Sequence, residues 1–336
     1  MKFIVDAFGG DNAPLEILKG TAMMLAETPD LEVILTGDEE KIRQVAQEEK
    51  ISLERMTIVH APDVITMDEQ ATDIMRGKKN SSMSVGLQLL AKGEGDAFVS
   101  AGSTGALVVG GTLIVKRLKG IRRAALAPLI PNDAGQFMLI DSGANVECKA
   151  DYLQQFGIMG SVYMKNVMNL ENPRVALANV GTEDTKGGEL QQEAFRLLQQ
   201  APVNFVGNVE GREIPRNGAD VVVADGFTGN LILKVYEGVA LAMMKNLKNV
   251  FYSSLKNKIG ALLLKKGLYD FKKRMDYNEY GGAPLLGLTK PVFKAHGSST
   301  AKTFCSAMKI TYRFVEKNVI GQISAALTEL QNSSEE

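Results

Sequence analysis

Asp96-Ala-Phe-Val-Ser-Ala-Gly-Ser-Thr-Gly-Ala-Leu-Val-Val109 is the stretch that decides how this chain folds. Asp96 to Val99 predicts a short buried strand, and Ala106 onward predicts an apolar helix. Between them lies Ser100-Ala-Gly-Ser-Thr-Gly105, a loop of small residues and hydroxyls. Glycine lets a backbone approach an anion closely, and the N–H groups of a helix's first turn point at it. An oxyanion or phosphate cradle at Gly102, Ser103, Thr104 and Gly105 is one reading; a tight turn capped by Ser103 or Thr104 is the other.

A second copy weighs against an accidental turn. Asp220-Val-Val-Val-Ala-Asp-Gly-Phe-Thr-Gly-Asn-Leu-Ile-Leu233 aligns without a gap and matches at six of fourteen positions, Gly102/Gly226, Thr104/Thr228 and Gly105/Gly229 among them. The second copy adds Asp225, Asn230 and, one turn on, Lys234. One loop offers backbone and hydroxyls, whereas the other brings a carboxylate, an amide and an ammonium.

Working outward, Lys2 to Ala7, Leu31 to Thr36 and Met56 to His60 read as strands, with helices ending near Glu27 and starting at Asp38. This βαβαβ alternation predicts an α/β fold with a largely parallel sheet. Ligands in such sheets bind beyond the carboxyl ends of strands, where Gly9, Gly10 and Asp11 fall. Asp68 to Gly77 and Ser81 to Gly93 read as helical. Asp141-Ser-Gly-Ala-Asn145 ends a further apolar strand, and a carboxylate there is costly unless hydrogen-bonded or working, which marks Asp141 and Asn145. A third glycine-rich strand exit, Gly181 to Gly188, carries Lys186. The Gly/Pro-rich Tyr277 to Gly287 segment contributes Gly281 and Gly282, and His296 precedes the closing helix.

The 336 residues suffice for one large unit with a central cleft. A net charge of −1 provides no global field for nucleic acid. Cys148 and Cys305 form neither a metal-spaced cluster nor a disulfide framework and read as reduced thiols of a cytosolic protein. Two histidines without an H-E-x-x-H pattern argue against a zinc enzyme. No run approaches the ~20 apolar residues of a membrane span. Walker A, G-x-S-x-G and G-x-G-x-x-G patterns are all missing, the last weakening a nicotinamide reading. Two clusters are basic. Arg122 and Arg123 close the turn from Lys116, where solvation at a helix end competes with docking of an acidic partner. Residues 240–280 read as a protruding amphipathic helical segment in which Lys256, Lys258, Lys265 and Lys266 interleave with Leu262 and Leu263. A membrane-surface or acidic-partner helix and a subunit-interface helix fit that pattern equally.

Taken together, Asp6-Ala-Phe-Gly-Gly-Asp11, Ser100 to Ala106, Asp141 to Asn145, Gly207-Asn-Val-Glu-Gly211, Asp225-Gly-Phe-Thr-Gly-Asn230, Tyr280 to Gly287 and His296-Gly297 resemble the motifs of the bacterial phosphate acyltransferase family, PlsX. The resemblance runs from residue 1 to about 320 with the motifs in order. It implies a three-layer α/β/α fold similar to isocitrate/isopropylmalate dehydrogenases and phosphotransacetylase. It also implies acyl transfer from acyl carrier protein to inorganic phosphate, giving acyl phosphate for phospholipid synthesis. A homodimer without cofactor or metal is implied too. So is a cytoplasmic, peripherally membrane-associated enzyme whose product passes to a membrane glycerol-3-phosphate acyltransferase.

On this reading Ser103 and Thr104 with nearby amides, among them those of Thr228 and Gly229, hold phosphate, and Lys186 or Lys234 balances its charge. Asn230 polarises the thioester carbonyl, Asp141 and Asp225 orient these groups, and His296 protonates the leaving thiolate. A decarboxylating dehydrogenase of similar fold and a non-catalytic carrier-protein or membrane adaptor are the rivals.

Overall fold

The computed structural model describes residues 1–275 and 281–333; Tyr280 and the side chains of Lys272, Lys273 and Arg274 lie outside what it describes. The chain opens with β1 (Lys2–Asp6), α1 (Leu15–Glu27), β2 (Glu32–Gly37), α2 (Glu39–Glu48), β3 (Met56–His60), α3 (Ser82–Lys92), β4 (Ala97–Ser100) and α4 (Thr104–Gly110). Between β3 and α3, where a helix over Asp68 to Gly77 is expected, only a 3-10 turn forms at Ala71–Met75. It buries a single residue, Ile74, too small an apolar face to hold a longer helix on the sheet. The middle holds β5 (Ala125–Leu126), β6 (Leu129–Asn132), β7 (Gly135–Ile140), α5 (Ala150–Asn166), β8 (Arg174–Asn179), α6 (Glu189–Gln199), β9 (Asn204–Glu210) and β10 (Val221–Val223). Then come α7 (Gly226–Tyr252), α8 (Leu255–Leu263), α9 (Lys265–Met275), β11 (Ala283–Leu286), β12 (Val292–Lys294), α10 (Ala301–Glu316) and α11 (Val319–Ser333).

The strands divide into two sheets, ordered β3-β2-β1-β4-β12-β11-β5 and β6-β7-β10-β8-β9. Every pair from β3 across to β12 is parallel, as are β7-β10, β10-β8 and β8-β9; the antiparallel pairs sit at the β11, β5 and β6 margins. Each copy of the repeated stretch therefore supplies an inner strand of its own sheet. Its opening aspartate secures the first residue of the neighbouring parallel strand: Asp96 accepts the Lys2 N–H at 2.7 Å, and Asp220 accepts the Arg174 N–H at 2.8 Å. Asp220 also meets the Arg174 guanidinium at 2.9 Å, which holds the guanidinium in its charged form.

Buried parallel strands put apolar side chains on both faces. Phe3 and Val5 of β1 share one core with Met138 and Ile140 of β7 and Val221 and Val223 of β10, so one face of both sheets packs into a single hydrophobic body with α1, α5, α10 and α11. A relay of rings ties the halves together: Tyr163 of α5 lies 6.0 Å from Phe314 of α10, which lies 5.3 Å from Phe293 of β12. On the opposite faces Ile4 and Phe98 pack under α3 and α4, and Leu139 and Val222 pack beneath α7. Helices thus cover both faces of both sheets. Along the last two thirds of α7 and on α8, Val239, Leu241, Met243, Val250, Leu255, Leu262 and Leu263 are all exposed.

Candidate active site

The two sheets meet with the carboxyl ends of their parallel strands facing a cleft of about 540 Å³. Asp11 follows β1, Thr104 and Gly105 open α4, and Ser142 and Gly143 follow β7. Asn230, Leu233, Lys234 and Glu237 come from one face of α7, and Lys294 and His296 from the end of β12. Both copies of the repeated stretch are therefore walls of one cavity.

The copies begin their helices differently. In the first, Ser103 caps α4 by accepting the Ala106 N–H at 3.5 Å, which leaves Thr104 and Gly105 on the cleft. In the second, Asp225 caps α7 two positions earlier in the alignment, accepting the Thr228 N–H and hydroxyl, both at 2.8 Å. A carboxylate accepts a helix's first N–H groups more strongly than a hydroxyl, so the second helix starts sooner. That earlier start places Asn230 and Lys234 on the cavity wall. Asp225 and Thr228 are committed to the cap, and Thr228 faces a separate hollow of about 340 Å³ on the other side of α7.

The glycines of α7 are there for contact with backbone. A Cβ on Gly229 would stand 1.8 Å from the Asp141 carbonyl oxygen, and one on Gly226 would stand 2.4 Å from that of Asn145. The first turn of α7 lies flat on the Asp141–Asn145 loop, and Gly143 in turn rests on the Asn230 side chain. The Asp141 carboxylate, itself buried, holds this loop with four accepted hydrogen bonds: from the N–H groups of Leu126 (2.9 Å), Ala144 (3.2 Å) and Asn145 (2.6 Å) and the Asn145 side chain (2.9 Å). Burial pulls its acidity toward the neutral form, and those donors pull it back toward the carboxylate. Asp141 and Asn145 lie under the cleft floor and act on it through the loop.

The mirror arrangement lies under the first copy. Asp6 ends β1 fully buried and accepts the Ser100 hydroxyl at 2.6 Å and the Phe8 N–H at 3.2 Å. Burial raises its pKa, with the Ser100 hydrogen bond the largest opposing influence. Gly9 packs against the Gly102 amide, where a Cβ would meet nitrogen at 2.6 Å; Gly10 needs its positive φ of 98° beside the Gly297 carbonyl. Gly9, Gly10 and Gly102 shape the cradle from behind. Gly281 lines the cleft, whereas Gly282 backs onto the Lys294 carbonyl.

Three polar groups on the cavity carry most of its character. The Asn230 amide has no hydrogen-bond partner among the described residues and faces the open space. Lys234 pairs with Glu237 at 2.8 Å while remaining half exposed. The Nδ1 atom of His296 accepts the Ser298 N–H at 3.3 Å and lies 2.9 Å from the Ser298 hydroxyl. Burial, and then the neighbouring Lys294 charge, lower the His296 pKa, which favours the neutral ring. Met67, Leu126, Pro128, Leu129, Ile130 and Leu233 line the same cavity and supply its apolar surface.

Some expected residues are elsewhere. Lys186 is not among the residues of this cleft. Its exit loop follows β8, which lies beyond β10 from β7 and opens on the smaller hollow; there Lys186 meets Glu183 at 3.9 Å. Arg122 approaches Asp151 at 3.6 Å, and Arg123 lies over the Tyr152 ring, both on the outer surface. Lys256, Lys258, Leu262, Leu263, Lys265 and Lys266 are exposed on α8 and α9. Cys148 is not a nucleophile candidate, because burial pushes its thiol up to about 12. Lys294 was not singled out by the sequence. Lys294 sits in a strand, where a lysine is read as solvent-facing, and no local pattern signals that it turns inward.

A two-sheet α/β/α body with its cleft at the strand ends is the phosphotransacetylase class of fold. A phosphotransacetylase from Streptococcus pyogenes superposes with a TM-score of 0.65 at 18% identity, covering 94% of both chains. A putative 4-hydroxythreonine-4-phosphate dehydrogenase from Salmonella typhimurium superposes at 0.52 and 14% identity, covering 93% of this chain and 99% of that one. The family model described as "Fatty acid synthesis protein" matches residues 1–322. A phosphate acyltransferase from Thermoanaerobacter pseudethanolicus is 48% identical over 96% of both chains, and one from Bacillus cereus is 48% identical over 97% of this chain and 98% of its own. The chain belongs to the phosphate acyltransferase family (PlsX), and it is an acyltransferase that uses phosphate as acceptor.

Proposed function

We propose that the acyl donor is a fatty acyl thioester of acyl carrier protein and that the acyl phosphate formed feeds phospholipid synthesis. The observation that carries this reading is the cleft itself: an unpartnered amide and two lysine ammonium groups share one cavity with aliphatic side chains suited to an acyl chain. Phosphate is already anionic at neutral pH and needs positioning more than a strong base. The α4 amides at Thr104 and Gly105, the Thr104 hydroxyl and Lys234 hold it. One of its oxygens attacks the thioester carbonyl carbon, forming the C–O bond as the carbonyl π pair moves onto oxygen. Asn230 donates to that developing oxyanion. The pair then returns, the C–S bond breaks, and the carrier thiolate leaves with its electron pair and takes its proton from solvent, since a neutral His296 ring would have to become an imidazolate to supply one. Asp141 and Asp225 touch no reacting atom and act as positioning residues through their loop and helix cap.

The outer features fit the same reading. An acidic carrier would dock on Arg122, Arg123 and the lysines of α8 and α9. The exposed Leu255, Leu262 and Leu263 beside those lysines suit a membrane surface, where acyl phosphate would pass to a membrane glycerol-3-phosphate acyltransferase. The exposed face of α7 suits pairing of two chains as a homodimer. No described helix is long and apolar enough to cross a bilayer.

The assignment of Asn230 and Lys234 is tested by alanine substitution. Asn230→Ala is expected to lower kcat about 10²- to 10³-fold, the range for a single lost oxyanion donor. Lys234→Ala is expected to raise the phosphate KM. Full acyl phosphate synthesis by both variants would remove the central assignment.

A further inference from the structure

Lys294 is the most deeply buried cation on the cleft. The residue is 8% exposed, yet it reaches the cavity surface from the end of β12. Taking an ammonium out of water costs several kcal/mol even after relaxation, so such a group is retained only where neighbours compensate it. Here the compensation is specific. Nζ donates to the Ala101 carbonyl at 3.1 Å and to that of Ala295. Ala101 is the residue before Gly102-Ser103-Thr104, and Ala295 is the residue before His296. Two of the three N–H donors of the ammonium are thereby committed, and they tie the first cradle to the histidine strand. The third has no partner among the described residues. Asp11 in the loop after β1 and Asp6 at the end of that strand favour its charge; Lys234 on α7 opposes it, and Glu237 of α7 lines the same cavity.

We propose that Lys294 is a catalytic residue of the acyl transfer, its third N–H binding the phosphate acceptor between Thr104 and His296. The proposal rests on the phosphate-transfer reading above and adds to it a group that the glycine-loop motifs do not contain. Lys234, exposed and paired with Glu237, is the adjustable cation of the site, while Lys294 is the fixed one, held by backbone on both sides. Because two of its bonds end on carbonyls, the ammonium is preorganised and does not swing toward the anion on binding. Burial lowers the Lys294 pKa to about 8, so its charge is present through neutral pH and lost on the alkaline side. Phosphate affinity would be lost with it.

The test measures phosphate-dependent release of carrier thiol from acyl carrier protein thioester by the full chain, comparing wild type, Lys294→Met and Lys294→Arg. Wild type is expected to be saturable with phosphate, with kcat/KM for phosphate falling as pH rises through about 8. Lys294→Met should lose at least a hundredfold in kcat/KM for phosphate while its thioester KM changes less than threefold and its circular dichroism stays native. Lys294→Arg, whose charge does not titrate in this range, should keep part of the phosphate dependence and lose the alkaline fall. Phosphate-saturable wild type together with a folded Lys294→Met of unchanged phosphate KM would overturn the assignment of Lys294 alone. An alkaline fall identical in wild type and Lys294→Arg would overturn it as well. Wild-type release indifferent to phosphate would overturn both this proposal and the reading beneath it.

Discussion

Gly229→Ala is expected to abolish the site, while Gly238→Ala, further along the same helix, leaves activity intact. The added methyl at position 229 would stand 1.8 Å from the Asp141 carbonyl oxygen, a backbone atom that has no rotamer to yield. The first turn of α7 must then lift from the loop, and Asn230 and Lys234 lift with it. Overpacking against a rigid neighbour costs about 1–3 kcal/mol, occasionally more, and a displacement near 1 Å costs about 10²-fold in rate. The variant is expected to unfold at lower urea concentration and to lose at least that factor in acyl transfer. A methyl at position 238 would have nothing within 4 Å of it, so alanine there should stabilise by up to about 1 kcal/mol through helix propensity alone. Equal urea midpoints for the two variants would show that α7 does not rest on the Asp141 loop as described.

Asp141→Asn is the second large expectation. The carboxylate accepts four hydrogen bonds, two on each oxygen. An amide keeps the shape but turns one acceptor into a donor facing two N–H groups. Each buried donor left unsatisfied costs about 1–3 kcal/mol, so the variant should lose about 2–5 kcal/mol of stability. The loop it holds carries Ser142 and Gly143 into the cleft, so kcat should fall as well, whereas a change confined to stability would leave kcat intact below the unfolding transition. Urea denaturation and steady-state kinetics on the same preparation separate the two. A variant with unchanged urea midpoint and kcat would mean that the carboxylate does not organise the loop.

These two expectations also show which parts of the molecule were legible beforehand. The duplicated strand–Gly-x-Thr-Gly–helix pattern was readable because glycine, hydroxyl and apolar run occur in fixed order, and it led to Thr104, Asn230 and Lys234 on one cavity. The reason for its glycines was not readable. Gly229 read as an anion contact, but a side chain there and at Gly226 would meet the Asp141 and Asn145 carbonyls, a packing relation between segments some eighty residues apart. Asp141 was legible as a buried carboxylate at a strand end, although only the fold reveals that its partners are backbone N–H groups. Lys186 drew attention because its loop has the same composition as the others. Strand order, which composition does not encode, places β8 beyond β10 and sends that loop to a different hollow. Lys294 escaped notice for the opposite reason: its neighbours in sequence are ordinary strand residues, and its partner Ala101 comes from a loop nearly two hundred residues earlier. Local pattern finds loops built to a recurrent plan; it does not find a single side chain whose purpose is set by tertiary contact.

The central claim is that phosphate itself is the acceptor held in this cleft opposite a carrier-bound acyl thioester. The most direct measurement is release of free carrier thiol from long-chain acyl carrier protein thioester by the full chain, with and without inorganic phosphate. Release that rises with phosphate to saturation, with one acyl phosphate formed per thiol, is the predicted result. Thiol release at the same rate without phosphate, or none in its presence, would contradict it.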